Sequence, residues 1–547
     1  MANTLPQLAN TSILIVDDFA GMRDMIHSML RELQQGNKGE PAVVHHAANG
    51  KRAIAAMLGH HYNIILCDYN LGAGRNGMQL LEEARVRGLV RATDIFVMVT
   101  AENTLSRVIL AAEYRPDDYI TKPFNKSLLS QRLLRLFQRK ENLAPITDLM
   151  YASEYLKALQ MCDTLLQSEP RNPIEIMRMR AEIATNMGNY REAEKSYSAI
   201  IKRRPMPWAL LGLGIVYFKQ QRMEEAQHTF NRLLAENENY LESYNWMAKL
   251  AEVNGDLQRA QQLLLQANEI SPFSVSRNLQ LSRVAEKNGD MKTAVKALES
   301  FVYLSADSIH EDVKHNLKLA NAQIACGDSD IALKNLSALR KRFKRENRSL
   351  LPLLISEHRA YLAQKNTAQM NACFAEIKES YEKGSESSIA LDAHTLLDVA
   401  DAFFVHGEEI NATAIVKHVV ENNHDQLALL EDAQAVFDKH NRAEAGNRLI
   451  ETVKREVFEL NNRGTALAKE GRMEESLQLF RDALKQMPEN VTININAAQV
   501  ILMNRHKSKG NVSLINEVSQ IIRRIEEIDP TNPHLKKLGL LQQEMNS

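Results

Sequence analysis

Asn63-Ile64-Ile65-Leu66-Cys67-Asp68-Tyr69-Asn70-Leu71 decides how the first part of the chain folds. Its apolar run closes on one aspartate, as a buried parallel strand does when it meets the loop beyond it. In an open α/β sheet, ligands bind at the carboxyl ends of strands, which is where Asp68 falls. Working outward, Ile13-Leu14-Ile15-Val16 is a second such run and ends in Asp17-Asp18. Residues 43–44 and 95–99 read as further strands, the latter closing on Thr100, and residues 119–121 as a fifth. Between them, residues 19–34, 50–58, 77–87, 104–112 and 126–140 read as helices. The first carries Met22, Met25, Ile26, Met29, Leu30 and Leu33 on one face. Strand alternating with helix predicts a five-stranded, parallel, doubly wound α/β sheet.

Such a sheet brings Asp17, Asp18, Asp68, Thr100 and Lys122 to one crevice. Carboxylates packed together repel one another unless a cation sits among them. Oxygen ligands with few protein contacts suit Mg2+, which keeps waters and accepts phosphate. A lysine and a hydroxyl alongside could hold the remaining phosphate oxygens. The set suits phosphoryl transfer to a carboxylate.

Residues 11–140 resemble a response-regulator receiver domain. The resemblance rests on Ile15-Val16-Asp17-Asp18, Leu66-Cys67-Asp68, Val99-Thr100-Ala101-Glu102 and Asp118-Tyr119-Ile120-Thr121-Lys122-Pro123-Phe124, in that order. It implies that Asp68 is the phosphoacceptor and that Asp17 and Asp18 hold Mg2+ with it. The Asn70 carbonyl would complete the metal site. Thr100 and Lys122 would contact the phosphoryl group, and Tyr119 would be the aromatic switch. It also implies a cis Lys122–Pro123 bond. Asn70 and Glu102 stand where the family tunes acyl-phosphate hydrolysis, and chemotaxis-type receivers carry the same pair. The loop Leu71-Gly72-Ala73-Gly74-Arg75-Asn76-Gly77 is one residue longer than usual and glycine-rich, and more mobility is expected of it. Arg115-Pro116 replaces the family's Gly-Ala.

Beyond residue 141 no strand pattern occurs. Residues 142–147, with Pro145, read as a linker between a receiver at 1–141 and a helical array at 148–547. Gly188-Asn189, Gly255-Asp256 and Gly289-Asp290 each precede a helix whose alanine (Ala193, Ala260, Ala294) recurs with Ala226 every 33 or 34 residues. Small residues at Ala181, Gly214, Ala248 and Ser282 would let paired helices approach. The pattern resembles tetratricopeptide repeats, with a clear late unit in Gly464, Gly471, Ser476, Phe480 and Ala483. Residues 305–390 and 422–455 give no clear register. The resemblance implies an all-α superhelix whose concave face binds a protein partner, lined by Asn245, Asn278 and Asn316 among others.

Over 547 residues, 67 basic side chains nearly balance 68 acidic ones, which argues against a nucleic-acid or anionic-membrane role. The basic cluster Arg340, Lys341, Arg342, Lys344, Arg345 and Arg348 reads as a solvated helix end. The cysteines lack metal or disulfide spacing, and no signal or membrane span is visible, so a cytoplasmic protein is expected. The whole reads as a two-component response regulator phosphorylated by a sensor histidine kinase, with output through protein binding and not through catalysis. The switch would free or bury a repeat surface or change a homodimer. The alternative is that the helical half carries or directs an activity, such as dephosphorylation of a partner phosphoprotein.

Overall fold

The computed structural model describes residues 5–35, 39–72, 74–101, 113–168, 170, 173–342, 347–386, 391–503 and 512–546. These form two compact units, Met1–Cys326 and Gly327–Ser547.

In the first unit, β1 (Ser12–Val16), β2 (Val43–Ala47), β3 (Ile64–Cys67), β4 (Ile95–Thr100) and β5 (Asp118–Thr121) make one sheet in the order β2-β1-β3-β4-β5. Every pairing is parallel. Successive residues of a strand face opposite sides, and both sides here are apolar. Leu14, Val16, Ile65, Cys67, Phe96 and Met98 pack beneath α2 (Gly50–Gly59) and α3 (Gly77–Val86). Ile13, Ile15, Ile64, Leu66, Val97 and Ile120 pack beneath α1 (Ala20–Gln34) and α4 (Lys126–Tyr151). That double burial is why these runs are continuous and do not alternate with polar residues. The helix expected at 104–112 and Glu102 lie outside the described residues. In the loop before α3, Arg75 pairs with the fully buried Glu83 at 2.5 Å.

The linker expected at 142–147 is instead helix, because α4 runs unbroken from Lys126 to Tyr151 with Pro145 inside it. A proline within a helix costs about 3 kcal/mol. Burying Leu143 and Ile146 against Ala158, Cys162, Ile176 and Ile183 stabilises by about 1.5–3 kcal/mol each, which is enough to hold the helix through it. Its earlier turns put Leu129, Leu133 and Leu136 into the sheet core. One helix therefore belongs to both cores.

Paired helices follow: α5 (Tyr155–Gln167), α6 (Pro173–Asn186), α7 (Tyr190–Arg203), α8 (Pro207–Lys219), α9 (Met223–Glu236), α10 (Leu241–Val253), α11 (Leu257–Ile270), α12 (Val275–Lys287), α13 (Met291–Ser305) and α14 (Val313–Ala325). Gly188, Gly255 and Gly289 take φ values of 73°, 79° and 78°, the left-handed conformation that ends one helix of a pair. The next residue begins its partner. Asn189, Asp256 and Asp290 accept hydrogen bonds from the backbone N–H groups of Glu192, Arg259 and Thr293. Gln221 does what glycine does in the remaining pair, at φ 62°.

The second unit continues with α15 (Ser329–Arg342), α16 (Asn347–Ala363), α17 (Thr367–Glu386), α18 (Ala393–Val405), α19 (Glu409–Asn422), α20 (Leu427–Lys439), α21 (Ala443–Lys469), α22 (Met473–Gln486), α23 (Val491–Met503), α24 (Val512–Ile528) and α25 (His534–Asn546). Lys365 and Asn441 hold left-handed turns where the sequence showed no register. Among the described residues, no helix is long and apolar enough to cross a membrane.

Candidate functional site

Pairing places Val16 beside Cys67, so Asp17 and Asp68 leave adjacent strands at the same level. The order of the sheet reverses between β1 and β3, and the crevice opens there. Asp17 is 1% exposed and Asp68 8%, while Asp18 is exposed. Carboxylate oxygens of the three lie within 4.8 Å of one another. Thr100 pairs with Thr121, and its carbonyl accepts from the Lys122 N–H at 2.7 Å, bringing Lys122 to the same edge. Lys122 Nζ donates to Asp17 Oδ2 and Asp68 Oδ2, each at 2.8 Å. The Lys122–Pro123 bond is cis.

Burial pushes the Asp68 carboxyl above its usual range, Asp17 adds to this, and Lys122 opposes it. Burial depresses the Lys122 ammonium, but bonds to both aspartates outweigh that and hold it protonated. One ammonium among three carboxylates leaves negative charge uncompensated, and this donor set fits a hard divalent cation such as Mg2+.

The structure thus gathers Asp17, Asp18, Asp68 and Lys122. Thr100 is buried at the end of β4, and Asn70 lies in the loop after β3. Tyr119, half-buried, stands beside Met98 across β4 and β5 and packs against the core under α2 and α3. It also lines a cavity of about 750 Å³ together with Trp208, Tyr240 and Glu242 of the repeats.

The sequence did not flag Gly77. A Cβ there would stand 2.2 Å from the carbonyl oxygen of Asp68, so only glycine lets α3 start against the strand end that carries this aspartate. Nor did it flag Arg277, whose side chain is fully buried and which pairs with Glu113 of the sheet domain at 2.7 Å. Of the asparagines expected on the concave face, Asn245 lies beside Glu113, and Asn278 accepts from Asn268 of the preceding helix at 3.0 Å. Asn278 is buried and donates to the carbonyls of Pro272 and Ser274, which fixes the start of its own helix. Asn316 donates to the carbonyl of Asp312 within its own turn. In the basic cluster Arg340 is paired with Glu357 and Glu376, and residues 344–345 lie outside the described residues.

The family profile for the response regulator receiver domain matches residues 13–134. Chemotaxis protein CheY-3 of Vibrio cholerae is 32% identical over 130 residues, which are 24% of this chain and 94% of that protein. The chain belongs to the response-regulator receiver family. Chemotaxis protein CheY of Pseudomonas aeruginosa is likewise 32% identical to this response regulator over 127 residues, covering 23% of it and 96% of the relative. A tetratricopeptide-repeat profile matches residues 178–240 and 211–275. Among solved structures, a CheY-like receiver from Methanospirillum hungatei is 26% identical, with a TM-score of 0.21, over 24% of the response regulator and 96% of that chain. A tetratricopeptide-repeat protein from Parabacteroides merdae is 15% identical, with a TM-score of 0.32, over 48% and 98%. By the two family profiles, the response regulator joins a receiver domain to tetratricopeptide repeats.

Proposed function

We propose that the protein is a phospho-gated adaptor, a two-component response regulator that accepts a phosphoryl group on Asp68 from a sensor histidine kinase or another phosphodonor. A protein partner is then bound by the repeats. A carboxylate oxygen of Asp68 attacks the phosphorus of the donor. The new P–O bond forms as the P–N bond to the donor imidazole breaks, and the imidazole leaves with a proton. Lys122, already held between Asp17 and Asp68, pairs with a phosphoryl oxygen, and the Thr100 hydroxyl donates to another. Asp17, Asp18, Asp68 and the Asn70 carbonyl would hold Mg2+, which supplies positive charge against the phosphoryl oxygens. Tyr119 is the switch that responds to Thr100.

The observation that carries this reading is the path from pocket to repeats. Lys122 leads back along β5 to Tyr119, which lines the cavity shared with Trp208 and Tyr240, and on to Arg115, which pairs with Glu242 at 2.9 Å. A charge event at Asp68 therefore acts on a segment already in contact with the array. The protein would act in the cytoplasm.

The test is a pull-down from extract with and without beryllofluoride and magnesium, which mimic the phosphorylated aspartate. A partner gained or lost with the mimic in wild type, and unchanged in Asp68→Asn, is the expected result. Identical partners in every lane would overturn the gating.

A further inference from the structure

The repeats already hold a carboxylate from outside the array. Glu113, at the end of the segment leading into β5, extends Oε1 to Arg277 Nη1 at 2.7 Å. Arg277 is one of the largest fully buried side chains in the protein. Its other donors are engaged by its own repeat, Nε by Asn268 Oδ1 at 2.9 Å and Nη2 by the Ser271 carbonyl at 2.6 Å. Asn268 is held in turn, because its amide donates to Asn278 Oδ1 at 3.0 Å. The guanidinium is thus oriented by groups that do not depend on Glu113, and its remaining face is presented to an anion. A planar guanidinium fixed in this way suits a carboxylate.

Glu113 is an imperfect occupant. Arg277 meets only its Oε1, while Oε2 is buried with the Asn245 side chain beside the carboxylate, and Asn245 Oδ1 is itself buried with no hydrogen bond among the described residues. Burial pushes the Glu113 carboxyl up in spite of Arg277, and Glu242 adds to the effect. The surrounding contacts are mostly modest. Arg115 pairs with Glu242 while half exposed, and His310 meets Glu82 at 2.9 Å. Gln79 donates to the Leu304 carbonyl at 2.5 Å. The half-exposed ion pairs contribute little each, so the receiver edge is held chiefly by Arg277 and by the bond from the buried Gln79.

From this we infer that Arg277, with Asn268 and Asn245, forms a carboxylate socket for an acidic segment of a protein partner, and that Glu113 fills it as an internal substitute. The receiver edge and the partner compete for one guanidinium. This deepens the adaptor reading, on which it rests, by naming the chemistry of the ligand and the residue that reads it.

The probe is an N-acetylated, fluorescently labelled peptide of residues 113–119, Glu-Tyr-Arg-Pro-Asp-Asp-Tyr. Its anisotropy is measured with the full chain as wild type and as Glu113→Ala/Arg115→Ala, which removes the internal anchor without touching the phosphorylation pocket. Binding at least ten-fold tighter to the double variant is expected. Replacing the peptide's glutamate by glutamine should lose at least ten-fold, a readout that leaves the protein's folding untouched. Arg277→Lys in the double variant should lose a similar factor. If the glutamate and glutamine peptides bind alike, or neither binds the double variant, the socket is wrong. Beryllofluoride with wild type separates the two readings. If the peptide binds the double variant but not the beryllofluoride form, the socket stands and phospho-gating fails.

Discussion

At the scale of single residues, the pocket depends on an atom that is not there. Gly77 begins α3 directly against the Asp68 carbonyl, and its neighbour is backbone, which cannot rotate away. Gly77→Ala should therefore destabilise the receiver by about 1–3 kcal/mol and shift the end of β3. The expected result is a lower melting temperature together with weaker beryllofluoride binding. An alanine variant with wild-type melting and binding would show that the strand end yields freely. The aspartates, threonine and lysine stood out in the sequence because each falls at or just beyond the end of a strand-like run. Gly77 did not, because a glycine that opens a helix after a glycine-rich loop gives no sign that backbone lies against it. Arg277 was hidden for another reason. A single arginine early in a polar helix looks solvated, and only the folded array shows that its partners come from two other segments, residues 268–271 and Glu113.

At the scale of elements, repeat pairing is set by close approach as much as by turns. A Cβ on Gly214 would meet Phe230 at 2.4 Å, and one on Gly464 would meet Phe480 at 2.4 Å. The two repeats lie far apart in the chain and use the same small-against-aromatic contact. Gly464→Ala should destabilise the second unit by about 1–3 kcal/mol, and Phe480→Leu in the same chain should recover part of it, as denaturant unfolding would show. An additive loss would mean that the two side chains do not share the space. The regular units were readable because their turns fall 34 residues apart, as from Gly255 to Gly289. From Lys365 to Gly407 the interval is 42, and Lys365 and Asn441 occupy turns where glycine was sought. Pattern matching fails there although the backbone conformation is the same. Helix α4 misled in the opposite direction. Pro145 signals an end, but burial of Leu143 and Ile146 outweighs it.

At the scale of the whole molecule, acid should act on the second unit. His358 and His406 lie 2.9 Å apart, and His406 stacks on Phe374. Burial lowers both imidazoles, His358 to about 4, and His406 adds to the shift at His358. Asp401 and Glu408 oppose the shift, while Arg359 and Lys439 reinforce it at His358. Both rings are neutral when folded, and unfolding lets them take protons near their ordinary value. The stability they contribute is therefore fully present above about pH 6.5 and is lost as pH falls toward 4. The melting temperature of the second unit should drop by about 5 °C between pH 7.5 and 5. The double variant His358→Gln/His406→Gln should flatten that slope, and an unchanged slope would assign it to other groups.

The helix common to both cores of the first unit has a mechanical consequence. Its 26 residues make a rod of about 39 Å. Along such a rod, distance and angle are locked together, since each residue advances about 1.5 Å and turns about 100°. One residue inserted between Phe137 and Leu143 would swing the repeats around the receiver and carry Arg277 away from Glu113, with neither core disturbed. A different receiver grafted onto this array would therefore have to join at the same residue, because even seven added residues, which restore the angle, lengthen the rod by about 10 Å.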